Sequence, residues 1–175
     1  MLSSPDGQFL NLARLDFAKY SQKQALSKPL FEYIFYHEND MRNALQLAAL
    51  ATEHAQFKDW WWKIQLGKTY YRYFYFFRDG WKKLNFNNFI PIIQRLGLFR
   101  DAEKQYLSAA KQQPLIDTYL YLSKVYVKLD QPLNSLAKLK EANEKFPFEP
   151  AILQASARIH EVSEKKEILL NLNFF

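Results

Sequence analysis

Three histidines, His37, His54 and His160, are the side chains best suited to metal binding or proton transfer near neutral pH. They lie in separate parts of the chain, and none has a histidine, aspartate or glutamate partner at the spacing of a metal site. The chain has no cysteine, which removes disulfides, thiolate metal sites and cysteine nucleophiles. It also contains no G-x-S-x-G, Walker or H-E-x-x-H motif. The sequence therefore predicts no catalytic residue, no metal site and no cofactor, and a protein that is not an enzyme.

Three consecutive tryptophans, Trp60, Trp61 and Trp62, are the candidates for contact with a protein partner, because exposed aromatic side chains often dominate interfaces. Consecutive positions of a helix point about 100° apart, so the three rings cannot all enter one core. We expect two of them to pack against neighbouring helices and one to stay near a surface. This geometry favours structural packing over direct contact with a partner.

The composition favours a helical domain. The chain has 175 residues, 49% of them hydrophobic, and only four glycines, so it can bury a core without the tight turns of an all-β protein. The net charge is +6, but no dense Lys/Arg cluster follows one helix face, and we expect no nucleic-acid binding. The chain shows no secretory signal and no apolar run near the ~20 residues of a membrane span. These features predict a cytoplasmic protein without a transmembrane segment.

Two segments share a helical-hairpin repeat. Around the tryptophans, Leu66, Gly67 and Tyr70 have the L-G-x-x-Y spacing of a tetratricopeptide first helix, and Leu122, Ser123 and Tyr126 take the same places later. The second helices follow the A-x3-F-x2-A pattern and each ends at a proline. Their positions lie at a constant offset of 33 residues: Ala102, Tyr106, Ala109 and Pro114, then Ser135, Leu139, Ala142 and Pro147. Small residues at such positions let antiparallel helices approach closely.

The first of these repeats is interrupted. Its two halves fit the repeat only when the 23 residues of 73–95 are removed, so we interpret this stretch as an insertion between the two helices. The stretch holds eight aromatic residues, and we expect it either to extend the first helix through Phe77 or to pack on a neighbouring groove. We favour an insertion without a selected function, which is β-prone and inclined to aggregate between Tyr70 and Phe77. Membrane contact through YFYFFRDGWKK is the alternative, although its aromatic residues follow no amphipathic period.

Weaker units flank the two clear repeats. Residues 31–51 give a degenerate hairpin around the turn HEND, and PAILQASARIHE opens a last unit whose second helix has no recognisable spacing. The predicted organisation is an N-terminal segment (1–24), a degenerate hairpin (25–58), the repeat interrupted by 73–95 (59–115), an uninterrupted repeat (116–149), and a partial repeat with a divergent tail (150–175). The fold class is all-α, a tetratricopeptide-repeat superhelix of antiparallel hairpins.

Several segments carry a closer resemblance. FEYIFYHENDMRNALQLAALATEHAQFKDWWWK, GKTYYR, LFRDAEKQY and DTYLYLSKVYVKLDQPL resemble the Bardet–Biedl syndrome eight family, the tetratricopeptide-repeat subunits of the BBSome. The HEND turn, the tryptophan triplet and the LDQP loop narrow the resemblance to this family. It extends over residues 1–72 and 96–161. Because the later repeats are missing and 73–95 has no family counterpart, we expect a truncated or alternatively spliced form.

The resemblance implies a non-enzymatic subunit of a coat-like complex. Its partners would be the other BBSome subunits and, indirectly, the membrane-protein cargo that the complex carries to and from cilia. It would act in protein transport and cilium assembly, at the cilium, the ciliary basal body and centriolar satellites.

A generic tetratricopeptide adaptor remains the alternative. Some such domains grip the acidic C-terminal tails of chaperones with a carboxylate clamp, and Lys63, Lys68, Lys124 and Lys128 are basic residues on first helices that could form one. The paired Asn and Lys/Arg signature of a clamp is not evident at matching positions. Solvated helix faces explain these lysines equally well.

Overall fold

The computed structural model describes residues 10–81 and 90–172, without the side chains of residues 24, 74–81, 90–96 and 166–172. Every regular element in these ranges is a helix, which confirms the predicted all-α class. The chain divides into two compact units, Met1–Asn87 and Asn88–Phe175. Within each unit, helices that follow one another in sequence pack together, the arrangement of a tetratricopeptide-like solenoid. The predicted domain boundaries themselves stay predictions.

The first unit begins with a 3-10 helix, Leu12–Arg14, and continues through four α-helices and a π-helical turn. These are α1 (Phe17–Ser21), α2 (Gln24–Glu32), the π-helix (Tyr33–His37), α3 (Met41–His54) and α4 (Trp60–Trp81). The π-helix prolongs α2 directly, and the turn that follows ends at Asp40. The Asp40 carboxylate accepts the backbone N–H of Asn43 at 3.1 Å, so it caps α3. The HEND segment thus forms the predicted end of one helix and start of the next.

Helix α3 is the centre of the first unit, since it packs against α1, α2, the π-helix and α4. Its inward face is built largely from alanine, which leaves room for large side chains opposite. Those side chains come mainly from α2, the π-helix and α4. The fully or almost fully buried members of this core include Phe31, Ile34, Phe35, Met41, Ala44, Leu47, Ala48, Ala51, Trp62 and Leu66.

Helix α4 continues past the point where the insertion was predicted to begin. The repeat frame ends at Arg72, yet the helical backbone runs on to Trp81, and the next helix begins at Ile90. Of the two outcomes expected for the insertion, extension of the first helix is the one that residues 73–81 adopt. The stretch from Tyr70 to Phe77, interpreted as β-prone, is helical, because a helix already formed upstream can be lengthened without a new nucleus.

The second unit consists of four helices: α5 (Ile90–Gln112), α6 (Ile116–Lys128), α7 (Pro132–Lys145) and α8 (Pro150–Leu172). Pro114 and Pro147 both follow the last residue of a helix, where a residue without a backbone N–H ends the hydrogen-bond ladder. Helix α8 is continuous through Glu161, so the divergent tail prolongs the last helix. In this unit α6 packs against α5, α7 and α8. Its buried core contains Ala110, Tyr119, Leu139, Ala142, Ile152 and Ile159.

A hydrogen bond between small residues joins α6 to α7. The hydroxyl of Ser135 donates to the backbone carbonyl of Ser123 at 3.0 Å, and the bond is buried. Ser123 in turn donates to the carbonyl of Leu120 at 2.8 Å within its own helix. Neither side chain could be much larger at this backbone-to-side-chain distance, so the two serines set how closely the helices approach.

We therefore expect Ser135→Leu to lower the free energy of unfolding by about 1–3 kcal/mol, because a larger side chain overpacks the helix contact. Ser135→Ala loses only the hydrogen bond, at a cost of about 1 kcal/mol. The neighbouring Asn134 is exposed, so Asn134→Leu is the matched control and leaves stability nearly unchanged. Urea denaturation followed by far-UV circular dichroism measures all three. Equal stability of Ser135→Leu and Asn134→Leu would contradict a tight contact.

Helix-linking turns place non-glycine residues in the left-handed region. Asn39 and Asp130, at φ 54° and 58°, tolerate this conformation, whereas Phe148 at φ 66° does not. The Phe148 side chain is also 91% exposed, so no burial offsets the backbone strain. This turn between α7 and α8 costs stability that a glycine would not.

We expect Phe148→Gly to stabilise the chain. Relief of the left-handed strain contributes about 1–2 kcal/mol, and the added freedom of the unfolded chain removes about 0.4–1 kcal/mol. Thermal unfolding should show a rise in Tm of about 2–4 °C. The control is Leu133→Gly, an equally drastic truncation of a leucine that is 79% exposed, but inside helix α7, where glycine is destabilising. A lower Tm for both variants would refute the strain at Phe148.

Candidate protein-interaction surface

The start of α4 is fixed by Asp59. Its carboxylate accepts the backbone N–H of Trp61 at 2.8 Å and forms an ion pair with the ammonium of Lys28 at 3.2 Å. The Lys28 ammonium also lies 5.0 Å from the centroid of the Trp61 ring, within the range of a cation–π contact. One carboxylate therefore orients both the first turn of α4 and the lysine that α2 contributes.

Two of the three tryptophans pack on Phe31 of α2. The ring centroids of Trp61 and Trp62 lie 5.9 Å and 5.8 Å from that of Phe31, both edge to face. The two indoles meet each other at 4.7 Å. Trp62 is only 2% exposed, so a partner does not reach it in this structure, whereas Trp60 and Trp61 are partly exposed. Contact with a partner through Trp60 or Trp61 stays a prediction.

Arg72 connects α4 to the turn between the π-helix and α3. Its guanidinium donates to the side-chain carbonyl of Asn39 at 2.7 Å and lies 4.6 Å from the centroid of the Phe35 ring. Arg72 is the last residue before the predicted insertion. Sequence reasoning missed this connection, because its partners are more than thirty residues earlier in the chain and no local pattern signals them.

The predicted repeat-packing residues occupy the positions that the repeat requires of them in terms of burial. Pro147 is exposed, while Tyr70 and Pro114 are partly buried, as suits prolines that end helices and an aromatic ring at a helix border. The buried members are Leu66, Gly67, Ala102, Tyr106, Ala109, Leu122, Ser123, Tyr126, Ser135, Leu139 and Ala142.

A charged network links α6 and α7 on the outside of the second unit. The hydroxyl of Tyr119 donates to the carboxylate of Glu141 at 3.0 Å, and Lys145 donates to the same Tyr119 oxygen at 2.6 Å. Lys138 and Lys145 each donate to Glu141 at 2.8 Å. These bonds, led by that from Lys138, lower the pKa of Glu141 to about 2. The network holds two helices in register at a partly exposed edge.

A second tyrosine joins α5 to α6. Burial raises the pKa of Tyr126 to about 12, and the nearby charge of Glu103 and a hydrogen bond to its carboxylate act in the same direction. Tyr126 is 5% exposed and belongs to the predicted repeat-packing set. A buried hydroxyl that finds a carboxylate partner costs less to desolvate, so the contact supports the helix pair.

The four lysines of the alternative binding mode differ in environment. Lys63 is only 5% exposed, and burial lowers the pKa of its ammonium, whereas Lys68 is partly buried and Lys124 and Lys128 are exposed. The ammonium of Lys124 lies 5.1 Å from the centroid of the Tyr121 ring. The first two belong to α4 in the first unit and the other two to α6 in the second. A buried Lys63 is poorly placed to exchange its surroundings for the carboxylate of a peptide tail.

Titratable groups form no metal-binding cluster in the described part of the chain. His37 stacks on Tyr33 at a centroid distance of 5.0 Å, and His54 and His160 are exposed on α3 and α8. Among residues 10–81 and 90–172, no helix has the length and apolarity needed to cross a bilayer.

Sequence reasoning also missed an apolar groove in the first unit. Helix α2 carries two apolar stripes, one toward the core through Phe31 and Ile34, and another through Leu26, Leu30 and Tyr33. The second stripe lines the groove with apolar residues of the N-terminal segment 1–24. The signal in the sequence was the apolar spacing of Leu26, Leu30 and Tyr33, a period of three to four residues that indicates a second helix face.

Comparison with known proteins gives one consistent match. The chain is 51% identical over 161 residues to tetratricopeptide repeat protein 8 of Mus musculus, 46% over 187 to that of Homo sapiens, and 37% over 161 to that of Caenorhabditis elegans. Each alignment covers 92% of this chain but only 27%, 30% and 27% of the respective relative. No protein-family model matches the chain.

The charged network predicts a specific dependence of stability on pH. The pKa of Glu141 is lower in the folded chain than the ordinary 4.5, so its stabilisation is complete above pH ~4.5 and is lost as the pH falls toward ~2. Because 36% of the side chain is exposed, solvent screens the interaction, and we expect Glu141→Gln to cost only about 1 kcal/mol at pH 7. Chemical denaturation at a series of pH values measures the difference.

The exposed Glu144, on the same helix, provides the control Glu144→Gln, with a small effect at every pH. The difference between the native chain and Glu141→Gln should narrow below pH ~4.5 and vanish near pH ~2. A difference that stays constant over this range would show that the carboxylate charge does not stabilise the fold.

Proposed function

We propose that this chain, which is homologous over 92% of its length to tetratricopeptide repeat protein 8, is a non-catalytic scaffold that binds other proteins. The observation that carries the proposal is the identity of 37–51% to three animal relatives of the same name. It is supported by the stacked helices of both units, since arrays of helical hairpins offer extended surfaces to polypeptide partners. Fold alone does not assign function, so the relatives carry most of the weight.

The specific role that we propose is that of a BBSome subunit. In this role the chain contacts other subunits of the coat-like complex, which carries membrane-protein cargo to and from cilia, and it acts in the cytoplasm at the cilium, the basal body and centriolar satellites. The resemblance of the HEND turn, the tryptophan triplet and the LDQP loop supports this assignment. Because the chain spans 27–30% of the length of its relatives, assembly requires that these residues hold part of the relatives' contact surface.

The alternative role, an adaptor for acidic chaperone tails, receives less support. It requires accessible lysines on one face, and Lys63 is almost fully buried. The partly exposed Trp60 and Trp61 suit contact with a folded partner better, because aromatic side chains with restricted rotamers lose little entropy on binding.

We expect the affinity-tagged chain to co-purify with the remaining BBSome subunits when all are co-expressed in cells that lack their own tetratricopeptide repeat protein 8. The proposal treats residues 73–95 as an insertion, so a form without them should be incorporated at least as well as the native chain. Immunoblotting for each subunit measures incorporation, and circular dichroism checks that both forms are helical. If both forms are folded and neither recovers a subunit, the BBSome role is wrong for this chain.

A matched pair of variants locates the surface. Trp61→Ala removes a partly exposed aromatic side chain that packs on Phe31, and Leu133→Ala removes an exposed side chain in the other unit. If Trp61 contributes to binding, its variant should recover at least about tenfold less of the partner subunits, while Leu133→Ala recovers as much as the native chain. Equal recovery by folded Trp61→Ala would leave Trp61 a purely structural residue. Urea denaturation of both variants separates lost stability from lost contact.

A further inference from the structure

The second apolar stripe of α2 forms the floor of a groove. Leu26, Pro29, Leu30 and Tyr33 follow one another along this side of the helix, while Phe31 on the opposite side is fully buried in the core. A helix with one face in the core normally turns polar residues outward. Instead, Leu26 remains 50% exposed, so α2 presents an apolar face that its own unit covers only in part.

The walls of this groove come from the N-terminal segment. Leu10 precedes the 3-10 helix, Leu15 follows it, and Tyr20 lies on α1; all three line the groove opposite α2. The cavity measures ≈ 310 Å³, at the lower end of the ~300–1,000 Å³ of pockets that hold ligands. Leu10, Leu15 and Leu30 also pack against the core cluster, so the walls are continuous with the folded interior. The groove is thus a supported depression with room for a few apolar side chains.

Basic residues border the groove on each element that lines it. Arg14 precedes Leu15, Lys19 precedes Tyr20, and Lys23 lies one turn before Leu26, and all three side chains are exposed. The acidic residues of these elements are fewer. The Asp16 carboxylate accepts the backbone N–H of Lys19 at 3.1 Å as the cap of α1, and Glu32 is exposed on α2. The rim carries an excess of positive charge around an apolar floor.

We infer that this groove, the α1–α2 groove, binds an acidic segment of another polypeptide that inserts leucine-type side chains. The apolar floor supplies most of the affinity, and the basic rim selects a partner with carboxylates beside its apolar residues. An apolar helix face laid in such a groove uses anchors spaced by three or four residues, which matches the spacing of Leu26, Leu30 and Tyr33. This inference rests on the proposed scaffold function and assigns one of its docking sites.

The probe is a fluorescent nine-residue peptide, acetylated and amidated, with leucines at its third, sixth and seventh positions and glutamates elsewhere. Fluorescence anisotropy with the full chain measures its Kd. Leu26→Ser should raise the Kd about tenfold or more, because it removes an apolar contact. Leu133→Ser, the matched change in a leucine that is 79% exposed in the other unit, should leave the Kd unchanged. Failure of the native chain to bind, or equal loss in both variants, overturns the inference.

Charge reversal tests the rim. The double variant Lys19→Glu, Lys23→Glu should weaken binding and remove most of its dependence on salt, whereas reversal of the exposed Lys140 on α7 should not. A peptide with lysine in place of glutamate should bind the double variant better than the native chain. Equal affinity of the native chain for the acidic and basic peptides refutes the role of the rim.

Two other occupants of the groove are distinguished by the same set of proteins. A chain without residues 1–9 should bind the peptide at least as tightly; if binding is lost, that segment and not the groove holds the peptide, and the inference is wrong. Sedimentation velocity should show no dimer that Leu26→Ser dissociates, since such a dimer would make a second copy the occupant.

Co-purification with BBSome subunits is scored in parallel, so that the two proposals can fail separately. A chain that recovers subunits but does not bind the peptide refutes the groove alone. A chain that binds the peptide and recovers no subunit refutes the assembly role and leaves the groove in place.

Discussion

The close approach of neighbouring helices through small side chains is the constraint on which the rest of the structure depends. Between α6 and α7, the buried hydroxyl of Ser135 reaches the backbone of Ser123. In the first unit, Ala44, Ala48 and Ala51 leave space on α3 for the rings of Phe31 and Phe35. Larger residues at these positions would separate the helices and open voids around the rings, and close-packed interiors do not absorb such changes without strain.

This packing also determines where polar interactions lie. Because helix contacts are short, charged groups that join helices gather at their edges: Arg72 with Asn39 in the first unit, and Lys145 and Lys138 with Glu141 in the second. Asp59 orients the tryptophan-bearing turn in the same way. The groove beside α2 forms where short N-terminal helices cover an apolar stripe only in part. The surfaces proposed for protein binding are therefore consequences of how completely each helix is covered.

Much of the fold could be predicted from spacing, because the hairpin repeat places small and large residues at fixed intervals. The burial of Tyr106, Ala109 and Ser135, and the helix ends before Pro114, follow from that local pattern. What could not be predicted depends on tertiary context. The aromatic stretch after Arg72 has strand propensity, yet it continues a helix that packing upstream has formed. The burial of Lys63 and the contact of Arg72 with Asn39 depend on residues remote in sequence, and no local pattern reports them.

The central claim is that both helical stacks exist as ordered units and that their exposed faces receive protein partners. Hydrogen–deuterium exchange of the chain, alone and with purified BBSome subunits that lack tetratricopeptide repeat protein 8, tests it most directly, because exchange reports both helix order and coverage. We predict slow exchange in α3, α4, α6 and α7 of the free chain, and added protection on α2 and at the start of α4 when the subunits are present. Slow exchange in the free chain with no added protection anywhere would contradict the claim.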